Sequence, residues 1–434
     1  MKLSLNPFKP IFTSLVPPSG GTRFPELDRL LRLAGIPALL VVLSLWAILP
    51  RLDAAPRPWN DELGYFCYLP ALFSGQPFDL HMREHAAKSM HHLMATSVRT
   101  GKTITCFGVG TALGWLPFYT AAHWANPSLP LGSPPLWQAC ALGTVCYTML
   151  GLLAVYATLL RFVNRWLAGG IALTMLLASP LLYYASGNPF FSHPFAFCLV
   201  AVLLYIAIRP NLTAGSWLAC GLLVGLLADV RPQLAICALL PVALHRPTAK
   251  SAALFAMAAL LALMPQMIYW HALFGSWLVN PQAVIDPHFF SRPAILLTLF
   301  SARHGLFTFH PLFALGAAGL LVAAASGRRK MALACLTIFL LQVIINSSAF
   351  DWWAGASFGN RRFCDTLPLI ALGCGLLLAK FPKATPVLLV FAWWNVCLLA
   401  AFGTTLKPAG ELNGWNINDV LNMFTCGLKQ ELFW

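Results

Sequence analysis

The stretch WNDELGYFCYLP, from Trp59 to Pro70, sets two adjacent carboxylates, Asp61 and Glu62, ahead of Tyr65. A carboxylate at a water boundary can take a proton from a hydroxyl, the work of a general base. The same pair also suits a helix start, Asp61 as the capping residue and Glu62 as a favourable charge in the first turn. A second polar stretch, AFDWWAGASFGNRRFCDTLP, carries Asp351, the indoles Trp352 and Trp353, Asn360, and the adjacent cations Arg361 and Arg362. Guanidinium groups grip phosphate oxygens through paired N–H donors. Pairing with Asp351 or Asp365, or contact with anionic lipid, is the structural alternative for these arginines. The two indoles suit stacking on a sugar ring or anchoring at a membrane interface.

Two more cations join the candidate phosphate ligands: Arg231 in ADVRPQ, and Arg303 beside His304 in SARHGLFTFHP. Asp229 offers Arg231 a local ion pair, whereas Arg303 has no acid near it in sequence. Tyr65, Lys102 and His193 complete the candidate substrate contacts with Asp351, Trp352, Trp353 and Asn360, although His193 in FFSHPF also suits the start of an apolar helix. His81 and His85 share a helical face with Glu84 nearby, and His91 and His92 follow, but no second half of a zinc pattern accompanies them. No metal ligand is assigned. The chemistry requires no cofactor; a divalent metal is compatible with it but not indicated.

The elements that position these residues are apolar. Of 434 residues, 59% are hydrophobic and only 10% charged, with mean hydropathy +0.72, against about 25% charged in a soluble protein. A water-soluble enzyme is excluded. The net charge of +14 does not imply nucleic acid, because the basic residues come in pairs at the ends of apolar runs. Most of the twelve cysteines lie inside such runs, so no disulfide framework is expected.

Apolar runs cover residues 33–50, 107–124, 136–160, 167–184, 194–208, 217–230, 234–244, 251–270, 306–325, 331–345, 367–378 and 387–402. The first follows a basic leader without a small-residue cleavage site and reads as a retained anchor. Placing Arg161, Arg165, Arg209, Arg246, Lys250, Arg328 to Lys330, Lys380, Lys383 and the leader on the cytoplasmic side requires that 107–124 not cross. That run is then a juxtamembrane segment on the outer leaflet. The expected protein is an all-α integral membrane bundle of about eleven spans in one domain, 1–434. It has a cytoplasmic leader, 1–32, a long outer loop with juxtamembrane helices, 51–135, and a short outer tail, 404–434. Twelve of the fourteen carboxylates then face the exterior. No nucleotide-type phosphate loop and no strand–helix alternation is present. No internal repeat is evident, which weighs against a secondary transporter.

Taken in order, WNDELGYFCYLPALF, GTALGWLPFY, SPLLYYASGNPFFSHPFAF, GLLVGLLADVRPQ, SARHGLFTFHPLF and DWWAGASFGNRRF resemble the polytopic glycosyltransferases of the GT-C fold. The likeness covers most of the chain and is nearest to the bacterial branch of protein mannosyltransferases and the aminoarabinose transferase of lipid A. It implies a donor sugar on a polyprenyl phosphate and inverting transfer to a glycan, lipid or protein acceptor at the periplasmic face of the bacterial inner membrane. Asp61 matches the family's catalytic aspartate. A large soluble C-terminal domain is not part of this sequence, so the resemblance implies that an acceptor-binding element is missing or supplied by a partner. On this reading Asp61 deprotonates the acceptor while Arg303, Arg361 and Arg362 stabilise the departing lipid phosphate. The alternatives are a lipid or sugar transporter, a noncatalytic membrane partner, or an enzyme acting on lipid diphosphate glycans.

Overall fold

A computed structural model describes residues 25–52, 58, 61–80, 94–404 and 417. The order is α1 (Pro25–Leu52), α2 (Asp61–Phe66), α3 (Tyr68–Phe73), strands β1 (Met94–Thr96) and β2 (Thr103–Thr105), α4 (Gly110–Ala125), α5 (Pro134–Leu159), α6 (Arg165–Leu177) and α7 (Leu181–Ser186). Then come α8 (His193–Ala207), α9 (Ala214–Val230), a 3-10 segment (Pro232–Ala238), α10 (Leu239–Leu244) and α11 (Ala249–Phe274). The chain continues through α12 (Pro281–Ile285), α13 (Ile295–Phe300), α14 (Leu306–Phe309), α15 (Leu312–Ala324) and α16 (Arg329–Ser347). A second 3-10 segment (Arg361–Thr366) leads into α17 (Leu367–Lys380), and a short 3-10 turn (Pro382–Ala384) into α18 (Val387–Thr404). Among the described residues, five helical stretches are long and apolar enough to cross a membrane, and six shorter apolar ones of 10–17 residues accompany them. This is an all-α polytopic membrane fold.

Helix starts follow local chemistry. The side chains of Asn164, Thr213 and Thr248 accept from the first free backbone N–H groups of α6, α9 and α11. Two runs expected as single helices are broken instead. Residues 167–184 divide into α6 and α7 at Ser179–Pro180, and 306–325 into α14 and α15 at His310–Pro311. In each break a proline that has no N–H interrupts the backbone ladder.

Close backbone approach fixes the bundle. Gly316 and Gly319 of α15 lie against Ile370 and Gly373 of α17, and Gly221 and Gly225 of α9 against the carbonyls of Phe255 and Ala259 of α11. A methyl group at any of these glycines would collide with the facing helix, as expected where small residues let membrane helices touch. In both pairs the contact advances in the same direction along both chains, so the paired helices run parallel.

The segment expected as the outer loop contains α2, α3, a two-stranded hairpin and α4 among its described residues. The hairpin was not anticipated; β1 pairs antiparallel with β2, Met94 opposite Thr105, around a turn in which Gly101 adopts φ +69°. Thr100 Oγ1 donates to Leu273 O at 2.5 Å, tying this turn to the end of α11. The run 107–124 becomes α4, which lies against the first half of α5: Trp115 Nε1 donates to Thr144 and Tyr119 OH to Leu131 O.

Candidate functional site

Three arginines expected to hold phosphate each meet a carboxylate, two of them from a distant part of the chain and one, Arg362, from its own loop. Arg361 Nη2 donates to Asp61 Oδ2 at 2.6 Å, joining the first turn of α2 to the segment before α17. Arg362 Nη2 holds both oxygens of Asp351, at 2.7 and 2.8 Å, and its Nη1 donates to the Asp351 carbonyl at 3.0 Å. Arg231 Nη1 donates to Asp365 Oδ2 at 2.7 Å. The partner of Arg231 is therefore not the nearby Asp229, because α9 ends at Val230 and extended backbone at Arg231 turns its side chain toward the segment before α17. Asp229 is fully buried, and neither of its carboxylate oxygens has a hydrogen-bond partner among the described residues.

The three arginines and Asp61 line one cavity of about 430 Å³. Asp61, Tyr65, His193, Arg231, Arg361 and Arg362 form its charged and polar wall; Phe107, Phe191, Val279, Phe289, Phe290 and Ile345 contribute apolar surface. Asp61 opens α2 with Glu62 beside it in the first turn, so helix initiation and a place on the cavity wall go together. His193 Nδ1 lies 3.1 Å from Arg231 Nη1. A guanidinium only donates, so Nδ1 accepts and the imidazole proton resides on Nε2. The ring of Phe191 lies 4.4 Å from the Arg361 guanidinium carbon, a cation–π contact.

Glu62 turns the other way. It is buried and accepts from Asn188 Nδ2. Burial, reinforced by the charge of Asp61, raises its pKa to about 7 despite that hydrogen bond. Tyr65 is pushed up to about 12, chiefly by burial, and stays a phenol that contacts Ser192 Oγ at 3.2 Å.

Other candidates lie elsewhere. Arg303 packs its guanidinium 3.8 Å from the Trp353 ring centroid, away from the cavity, with no ion pair among the described residues. It is a neighbour of the site, not part of its wall. His304 Nδ1 contacts the Trp353 carbonyl at 3.0 Å, and Asn360 Nδ2 donates to the Trp352 carbonyl at 3.1 Å. Trp352 and Trp353 meet edge to face and do not line the cavity. Asp351 acts through Arg362. Lys102 borders a second hollow with Phe78, Asp79 and Thr103, its ammonium 5.5 Å from the Phe78 ring centroid. Among the described residues no group of three His, Cys, Asp or Glu could hold a metal ion; His81, Glu84, His85, His91 and His92 lie outside them.

Three neutral amides, Gln233, Asn346 and Asn188, are absent from the residues expected by sequence. Gln233 lines the cavity, and with its amide oxygen turned to Arg231 it accepts from Nε at 3.1 Å and Nη2 at 2.7 Å. Asn346 also lines the cavity, and Asn188 holds Glu62. Only the two-residue offset between Gln233 and Arg231 was a usable signal.

No family model and no curated protein matches this sequence. Among solved structures, ArnT from Cupriavidus metallidurans bound to undecaprenyl phosphate is similar over 89% of this chain and 74% of its own, with TM-score 0.52 and 14% identity. The apo state of ArnT gives TM-score 0.52 and 13% identity over 90% and 74%. The Archaeoglobus fulgidus oligosaccharyltransferase is a looser likeness, with TM-score 0.44 and 15% identity over 87% of this chain and 52% of its own. The chain has the GT-C fold expected from the sequence.

Proposed function

We propose that this protein is a membrane glycosyltransferase that moves a sugar from a polyprenyl phosphate to a hydroxyl-bearing glycan, lipid or protein acceptor, at the periplasmic face of a bacterial inner membrane. The observation that carries the reading is the cavity that gathers Asp61 with Arg231, Arg361 and Arg362 in a GT-C fold. ArnT, the protein similar in fold, is described with undecaprenyl phosphate bound.

The chemistry follows from these groups. The acceptor oxygen attacks the anomeric carbon from the side opposite the lipid phosphate, its proton passes to Asp61, and the bond from the anomeric carbon to phosphate oxygen breaks with inversion. The electron pair remains on the lipid phosphate, where guanidinium donors stabilise the growing charge. Arg361 uses Nη2 for Asp61 Oδ2. A guanidinium has five N–H donors, so Arg361 can hold the base in place and still face an anion. Asp61 Oδ1 is the oxygen left to take the proton.

The test is transfer by the purified chain in lipid nanodiscs supplied with the polyprenyl-phosphate sugar that co-purifies with it. Asp61→Asn should lower turnover by at least about 100-fold, the usual scale of general-base catalysis, while the protein stays folded and retains the lipid. Near-parental turnover in that variant would falsify the assignment of Asp61.

A further inference from the structure

Gln342 and Asn346 have no part in the proton and phosphate chemistry above, yet both are buried in α16, four residues apart on one helix face. An amide inside a membrane bundle is costly unless its polar atoms are met. Asn346 Nδ2 donates to the Gln342 carbonyl at 2.9 Å and to Gln342 Oε1 at 3.0 Å. Gln342 Nε2 in turn donates to the Gln233 carbonyl at 3.4 Å, and the Gln233 side chain accepts from Arg231. A run of amides thus leads from the Arg231 guanidinium to Asn346 on the cavity wall. Both donor positions of Asn346 are used. Its acceptor, Oδ1, takes no hydrogen bond from the described residues, and the residue is only 3% exposed.

Charge narrows what that acceptor meets. Arg231, Arg361 and Arg362 line the cavity with one carboxylate, Asp61, while Asp351 and Asp365 hold their arginines from behind the wall. Each of these arginines is matched by one carboxylate, Arg361 by Asp61, Arg362 by Asp351 and Arg231 by Asp365. A ligand ammonium would find no unpaired carboxylate on the lining.

We propose that Asn346, oriented by Gln342, accepts a hydroxyl of the transferred sugar, and that this sugar is uncharged, not an amino sugar. The inference rests on the polyprenyl-phosphate reading, and its test separates the two. Binding to the purified full chain in nanodiscs is measured for undecaprenyl phosphate and for its phosphoglucose, phosphogalactose, phosphomannose and phospho-4-amino-4-deoxyarabinose forms.

One of the three neutral glycolipids should bind more tightly than bare undecaprenyl phosphate. Asn346→Leu should weaken it about fivefold to tenfold, the scale of one lost hydrogen bond, and shift bare undecaprenyl phosphate by less than about twofold. Gln342→Leu, which frees the Asn346 amide to turn, should give a smaller loss in the same direction. If Asn346→Leu does not fold, Gln342→Leu carries the comparison, and undiminished discrimination there overturns the proposal. Equal weakening of bare and glycosylated lipid in Asn346→Leu overturns it too, as does tightest binding of the amino sugar form. A parent that binds bare undecaprenyl phosphate but prefers no neutral glycolipid overturns it while leaving the phosphate site intact. A folded parent that binds none of these lipids overturns both readings.

Discussion

Asp61 and Glu62 stand side by side in one turn and meet opposite surroundings. Asp61 lines the cavity against Arg361, whereas Glu62 points into the protein and is held by Asn188. With its pKa raised from an ordinary 4.5 to about 7, Glu62 keeps its proton in the folded state over a range where the unfolded chain releases it. The stability this contributes is complete below about 4.5 and is lost as pH rises to about 7. Glu62→Gln should therefore flatten the fall in melting temperature between pH 5 and pH 8 that the parent shows. The difference is bounded at roughly 3 kcal/mol. Thermal melts of both proteins at the two pH values check this, and identical profiles would remove Glu62 as the source. The charged wall was legible in the sequence because arginines in loops that read as exterior run against the usual charge bias, and a histidine and an acidic pair mark helix starts. Asn188, Gln342 and Asn346 were not, because a neutral amide in an apolar run leaves no mark on charge or periodicity.

The segment before the second 3-10 helix shows how loops build the cavity wall. Three consecutive carbonyls are pinned by side chains: Asp351 by Arg362, Trp352 by Asn360, and Trp353 by His304. The chain then enters left-handed backbone at Ala354 and Gly355, with φ of +69° and +71°. For Ala354 that conformation costs on the order of 1–2 kcal/mol, so the pins must outweigh it. Their effect is to present the Asp351 carboxylate to Arg362. His304, Asn360 and Arg303 are all candidate ligand contacts by sequence; in the structure His304 and Asn360 meet carbonyls of this loop, and Arg303 rests on Trp353. Sequence spacing identifies polar residues in a loop but not which of them turn inward, because that depends on the partner loop. A paired substitution separates the roles. Arg362→Lys keeps the charge but loses the two-pronged grip on Asp351, and should weaken undecaprenyl phosphate binding by about tenfold, the scale of one charge-assisted hydrogen bond. Arg303→Lys should leave it within about twofold. Equal losses in the two variants would return Arg303 to the phosphate site.

At the scale of the molecule, the helices sort their residues into two ends. Arg161 and Arg209 both lie over the Tyr205 ring, at 4.8 and 5.2 Å, and Arg328 lies over Phe162 at 4.9 Å, so the loops after α5, α8 and α15 meet at one end. The opposite ends of α8, α9 and α16 carry His193, Arg231 and Asn346, all on the cavity wall. Charge bias assigns the first end to the cytoplasm without reference to any contact, and the packing independently groups those same loops. The number of crossings is a finer matter than this sorting: α4 packs against the first half of α5, the cavity-side start of α8 through Gly114 against Phe195, and the cavity-side end of α9 through Gly110 against Val230. The ion pair of Asp61 with Arg361 demands that the loop after α1 and the loop before α17 share one side. Single cysteines placed beside Arg165 and Arg329 on a cysteine-free background should therefore label only from the cytoplasm. Those beside Asp61 and Gly359 should label from the exterior. Labelling of the Asp61 and Gly359 positions from opposite sides would break the shared cavity. Labelling of both from the cytoplasm would keep the cavity but turn the protein over, and the transfer would then have to use acceptors on the cytoplasmic side.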